Sequence, residues 1–175
     1  MSIVLTSFQR SPRYFGDKFA ICDRQPEAYN YTELLFFAPA DRNGKTIRSA
    51  DFFKRKKEEA FDAHDFYDAV DKYRQELLAG YCNNLDEIKY WLAELTLEQN
   101  IVLCCWCPHS KASQEQIKDL GVMACHCGIV AEVITLCRPD LTVILDIDRS
   151  DKLVPQWQFG QMEQMNLYPS PALPY

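Results

Sequence analysis

The feature that most constrains this chain is the run Ile101-Val102-Leu103-Cys104-Cys105, five apolar residues with no polar alternation. A strand with one wet face alternates, so an uninterrupted run of strand length predicts a strand covered on both faces, as in a parallel sheet. Ile129, Val130, Val133, Ile134 and Cys137 then fall at helical spacing, and after Arg138-Pro139-Asp140 the segment Leu141 to Ile147 reads as a second buried strand. Strand, loop, helix and strand in that order form a βαβ unit and predict an α/β fold, a three-layer sandwich around a mostly parallel sheet.

Upstream, Ile3-Val4-Leu5 reads as a first strand feeding the polar loop Ser7 to Arg13, Phe19 to Cys22 as a second strand, and Leu34 to Ala38 as a third, stopped by Pro39. Asp41-Arg42-Asn43-Gly44-Lys45 has turn composition. Phe66, Val70, Tyr73 and Leu77 recur at helical spacing, and Gly80 is read as the end of that helix. A further helix starts at Asn84, which with Glu87 has the pattern of a capping box, and carries the stripe Leu85, Ile88, Leu92 and Leu95. Both stripes are read as core packing. The run Lys54 to Glu59 reads as a solvated helix face, and His64 as a solvent-facing histidine.

At 175 residues the chain is expected to be one α/β domain over residues 1–155, followed by an irregular, aromatic tail over 156–175. The tail, with Trp157, Phe159, Tyr168 and Tyr175, is read as packing back on its own domain, with a docking or homodimer segment as the alternative. Its 19 basic and 25 acidic residues give a net charge of −6, which argues against nucleic acid as a partner. No secretory pattern opens the sequence, and no apolar run approaches the roughly 20 residues of a membrane span. The expectation is a cytoplasmic protein without a membrane partner. Its eight cysteines then read as buried thiols, metal ligands or reactive groups rather than a disulfide framework.

Those cysteines cluster. Cys105-Trp106-Cys107 and Cys125-His126-Cys127 are two Cys-x-Cys pairs with residues 108–124 between them. The first pair stands at the carboxyl end of a strand and the second at the start of a helix, the edge at which open α/β sheets bind ligands. Three readings stand side by side. A thiolate at a helix N-terminus is stabilised there, so Cys125, with His126 as proton acceptor and Cys105 opposite, makes a thiol-dependent catalytic set. Cys105, Cys107, Cys125 and Cys127 make instead a Cys₄ zinc site, although closed zinc sites more often use Cys-x₂₋₄-Cys. The third reading is packing, which covers Cys22, Cys82 and Cys137 and extends to Cys104. Ser7, Arg10 and Arg13 on the first loop, with Trp106, are the candidate binders of a small anionic or nucleotide-like ligand. Glycine-rich nucleotide loops, Gly-x-Ser-x-Gly and phosphatase-type loops are absent from a sequence with six glycines.

The stretch Leu103-Cys104-Cys105-Trp106-Cys107, then Cys125-His126 and the apolar helix Ile129-Val130-Ala131-Glu132-Val133-Ile134, resembles the family named domain of unknown function 488. Its members carry a Leu-Leu-Cys-Tyr-Glu-like strand end and a Cys-His-Arg helix start. Thr6-Ser7-Phe8, Ala20-Ile21-Cys22 with Pro26, Leu35 to Pro39 and the Tyr67 to Leu78 helix fall in the family's order, so the resemblance spans residues 1–148. It implies a Rossmann-like α/β sandwich and carries over Cys105, Cys125 and His126. Cys107 and Cys127 replace the family's glutamate and arginine, a charge pair exchanged for two thiols, and Pro108 to Met123 is an insertion. The family has no settled activity, so the resemblance implies a fold more than a reaction.

Overall fold

The structure is a computed structural model and describes residues 2–48, 63–96, 98–106 and 126–146. Five strands, β1 (Ser2–Ser7), β2 (Asp17–Ala20), β3 (Thr32–Glu33), β4 (Asn100–Cys105) and β5 (Thr142–Leu145), form one parallel sheet in the order β3-β2-β4-β1-β5. Among the described residues three α-helices accompany it: α1 (Ala63–Asn83), α2 (Leu85–Glu94) and α3 (His126–Cys137). The fold is therefore α/β, as the apolar run at Ile101 demanded. None of the described helices is long and apolar enough to cross a membrane.

Register sorts the strand residues into two faces, because parallel partners point the same way and neighbours along a strand point oppositely. Ile3, Leu5 and Ser7 align with Ile101, Leu103 and Cys105. Val4 and Thr6 align with Val102 and Cys104 on the reverse side. The first face meets the helices: α3 packs on β5 and β1 and against α1 and α2, and Trp91 of α2 stands edge-on to Phe19 of β2. The second face is equally closed, with Val102, Cys104, Thr6 and Ala20 fully buried. At about 25 cal/mol per Å² of apolar surface, closing both faces is what stabilises so short a set of strands.

The route from β1 to β2 explains part of that second cover. Residues 8–16 contain no α-helix, yet they leave the carboxyl end of β1 and reach the start of β2, which pairs with the start of β4. Nine residues at ~3.3 Å each are enough to run back along β4. A 3-10 turn over Ser11–Arg13 sits in this strap, and Ser11 is buried beside Cys104. The strap ends at Gly16, with φ of 132°, where a Cβ would lie 2.1 Å from the Asn100 carbonyl oxygen. Only glycine fits so close an approach. The β1–β2 strap and the α3 crossover from β4 to β5 run in opposite directions on opposite faces. They therefore share one hand, as right-handed crossovers require.

Four local expectations change. Leu34 to Ala38 is not a strand: the chain pairs only at Thr32–Glu33 and then closes a 3-10 turn over Leu35–Phe37, with the Phe37 and Ala38 amides bonded back to Leu34 and Leu35. The helix read as ending at Gly80 runs on to Asn83. Gly80 is there for space, since a Cβ would lie 2.0 Å from the Ala40 carbonyl oxygen. Asn84 does precede α2, but its side chain does not cap the helix and instead reaches the Phe36 carbonyl at 3.4 Å. Cys82 is exposed rather than packed inside. Other expectations hold: Asp41 to Lys45 is a turn, with Gly44 at φ of 76° and the Asp41 carboxylate accepting from the Asn43 and Lys45 amides. The Lys54 to Glu59 run, the side chain of His64, the insertion and the tail lie outside the described residues.

Candidate functional site

β1 and β4 are neighbours whose onward connections leave in opposite directions, one toward β2 and the other toward β5. That divergence makes the carboxyl edge between β1 and β4 the topological switch point of the sheet, the general ligand position of such folds. Ser7 and Cys105, paired in register, close the two strands at this edge.

On the helix face, Cys105 ends β4 and His126 begins α3. The Cys105 Sγ lies 3.1 Å from His126 Nδ1, and both side chains are buried. The other ring nitrogen, Nε2, is 2.6 Å from the Phe37 carbonyl oxygen, which also accepts from the Tyr81 hydroxyl at 3.2 Å. A carbonyl only accepts, so Nε2 must carry a proton. That fixes the tautomer: in the neutral ring Nδ1 is the acceptor and the Cys105 thiol points its proton at it. A thiol, a base and a group that orients the base are thus in line, the arrangement by which cysteine nucleophiles are activated. The 3-10 turn at Leu35–Phe37 is what aims the carbonyl inward, since a strand there would direct it along the sheet.

The opposite face carries a second polar group. Asp146, just past β5, accepts the Thr6 hydroxyl at Oδ2 (2.8 Å) and the Arg10 guanidinium at Oδ1 (2.7 Å). Thr6 and Asp146 are buried, and the Arg10 side chain keeps 13% of its surface. Register explains the meeting: Leu5 pairs with Leu145, so Thr6 and Asp146 are the next matched step, and the Asp146 amide continues the ladder to the Leu5 carbonyl. Beside them Ser11 donates to the Phe8 carbonyl and shares a 2.8 Å bond with the Tyr31 hydroxyl. Burial pushes the Cys104 thiol up to about 12, against smaller opposing pulls from the Ser11 hydroxyl and the Lys18 charge.

Of the residues singled out from sequence, Cys105 and His126 are in contact, and Ser7 is beside Cys105 on the same face. Arg10 is held by Asp146, so its charge is answered largely within the protein. Arg13 is exposed at the end of the 3-10 turn in the strap. Trp106 follows Cys105 and is 55% exposed. Cys127 is wholly buried in the first turn of α3. Cys107 and Cys125 lie outside the described residues; among those described, no three metal-ligating side chains gather. The sequence reading missed Phe37, Thr6 and Asp146. Phe37 acts through its backbone and leaves no side-chain signal, whereas an aspartate closing the apolar run from Leu141 was a visible cue.

The chain matches no family model, no curated protein and no solved structure. Functional reading therefore rests on the chemistry of this edge.

Proposed function

We propose that this chain is a cytoplasmic α/β protein that binds a small anionic, nucleotide-like molecule at the carboxyl edge of its sheet and acts on it through the Cys105 thiol. The observation that carries this is the line Cys105 Sγ, His126 Nδ1, His126 Nε2, Phe37 carbonyl, with distances of 3.1 and 2.6 Å. When Cys105 is used as a nucleophile its proton passes to Nδ1, and the resulting imidazolium keeps Nε2–H on the Phe37 carbonyl. No side chain has to move. The amino end of α3 supplies positive potential to an anionic group at this edge. The resemblance to the domain of unknown function 488 family rests on these same residues and implies a role for Cys105 and His126. It also keeps Cys125, one residue before His126, as a second candidate thiol.

The test is the rate of iodoacetamide modification, residue by residue, read by peptide mass spectrometry. His126→Gln keeps a polar side chain but removes the base, and is expected to slow modification at Cys105 by about 100-fold, the lower end of the usual range for general-base help. Equal rates in the wild type and the His126→Gln variant would remove the proposal. A drop seen only at Cys125 would move the nucleophile to that residue.

A further inference from the structure

We infer that the ligand of this edge carries a flat aromatic ring and that Trp106 is the platform on which the ring stacks. The inference rests on the small-molecule reading above and extends it to a chemical class. Trp106 is one of five large apolar side chains more than half exposed among the described residues, at 55%, and it directly follows the thiol residue Cys105. A surface tryptophan is ordinary when its ring is loose. This one is held at two points. Its indole N–H donates to the Arg24 carbonyl, and its ring meets Phe8 edge-on at 5.8 Å with an interplanar angle of 68°. Phe8 is itself 2% exposed and packed against Tyr29 at 5.3 Å and Tyr31 at 6.0 Å, while the Tyr31 hydroxyl is bonded to buried Ser11. The ring is therefore fixed before any ligand arrives, which lowers the ordering cost of binding.

The chemistry of that surface is narrow. With the N–H already used by Arg24, the indole offers no donor, only a π face. A π face with no hydrogen-bonding edge selects planarity rather than a particular pattern of donors, and stacking on it is tolerant of ring identity. Register sets the span: Trp106 lies on the side of Phe8, and Cys105, one residue earlier, on the helix side. A ligand whose ring rests on Trp106 and whose other end crosses the edge of the sheet toward Cys105 has the shape of a nucleotide or a similar ring with an anionic arm.

The test compares adenosine monophosphate with ribose 5-phosphate, which keeps the anionic arm and lacks the ring, by isothermal titration of the wild type and of Trp106→Leu. The expected result is binding of adenosine monophosphate, at least about ten-fold weaker binding of ribose 5-phosphate, and a comparable loss in Trp106→Leu, as for the removal of one stacking side chain. Trp106→Phe keeps a stacking face and should recover part of that loss, which separates stacking from a fold defect. Equal affinity for the two probes, unchanged affinity in Trp106→Leu, or binding of neither probe overturns the inference. The Cys105 modification rate is read in wild type and in Trp106→Leu, each with and without His126→Gln: if the slowing by His126→Gln is the same in both backgrounds, the thiol reading stands whatever becomes of the ring.

Discussion

Cys104 and Cys105 are neighbours on one strand, and the pleat sends them to opposite faces with different chemistry. Cys105 faces a base; Cys104 is sealed against the strap, where burial pushes its thiol from 9.0 up to about 12. In native protein at neutral pH, Cys104 should take no alkylating reagent on the timescale at which Cys105 reacts. Peptide mapping checks this, and early label at Cys104 would mean that the strap over residues 8–16 opens readily. The same shift has a sign in stability. A thiol whose folded value is raised stabilises the fold fully below pH 9 and loses that contribution as the pH climbs toward 12, because the unfolded chain gives up its proton first. By pH 11 the loss should be about 2–3 kcal/mol. Urea unfolding at pH 8 and pH 11 should show that much steeper a decline in the wild type than in Cys104→Ala, whatever the variant's baseline. Parallel declines would place Cys104 in contact with water.

At the level of elements, glycine shows how a correct cue can carry the wrong meaning. Gly80 was read as a helix end, but α1 continues to Asn83 and crosses the Ala40 backbone so closely that a Cβ would lie 2.0 Å from its oxygen. In an open helix Gly→Ala stabilises by roughly 1 kcal/mol. Here Gly80→Ala should destabilise instead, by about 1–3 kcal/mol, as overpacking does. Thermal unfolding checks the sign, and a stabilised variant would show that α1 and the segment at Ala40 are not in contact. The same distinction marks what the sequence could disclose. The run at Ile101 and the helical spacing from Ile129 were legible because burial on both faces and a 3.6-residue period are written in side-chain type. Asn84 correctly marked the start of α2, but its side chain turned to the Phe36 carbonyl because packing placed an acceptor there. Leu34 to Ala38 was misread for a related reason. Apolar content fits a strand or a buried turn equally, and only the sheet's own edge decides that pairing stops at Glu33.

At the scale of the whole molecule, two ion pairs among the described residues join segments far apart in sequence, and neither was legible because charge alone does not name a partner. Asp146 ties the end of β5 to Thr6 and to Arg10, closing one side of the edge where the thiol stands. Arg74 of α1 grips both carboxylate oxygens of Glu132 on α3, with side chains 11% and 10% exposed. Glu132 is the one acidic residue of a helix whose neighbours Ile129, Val130, Ala131, Val133 and Ile134 are all buried. Its carboxylate would be stranded among them without Arg74. A buried pair of this kind adds little net stability over an apolar substitute, yet removing one partner leaves the other charge desolvated and unanswered. Arg74→Met should therefore cost about 2–4 kcal/mol, somewhat below the range for fully buried pairs. The double change Arg74→Met with Glu132→Leu should cost clearly less than Arg74→Met alone. Urea denaturation of the wild type, Arg74→Met, Glu132→Leu and the double variant reads both values as a thermodynamic cycle. Additive losses would mean that water reaches the pair. A double variant more stable than either single one would show that each charge is costly to bury once its partner is gone, so that the pair is held by mutual desolvation between α1 and α3.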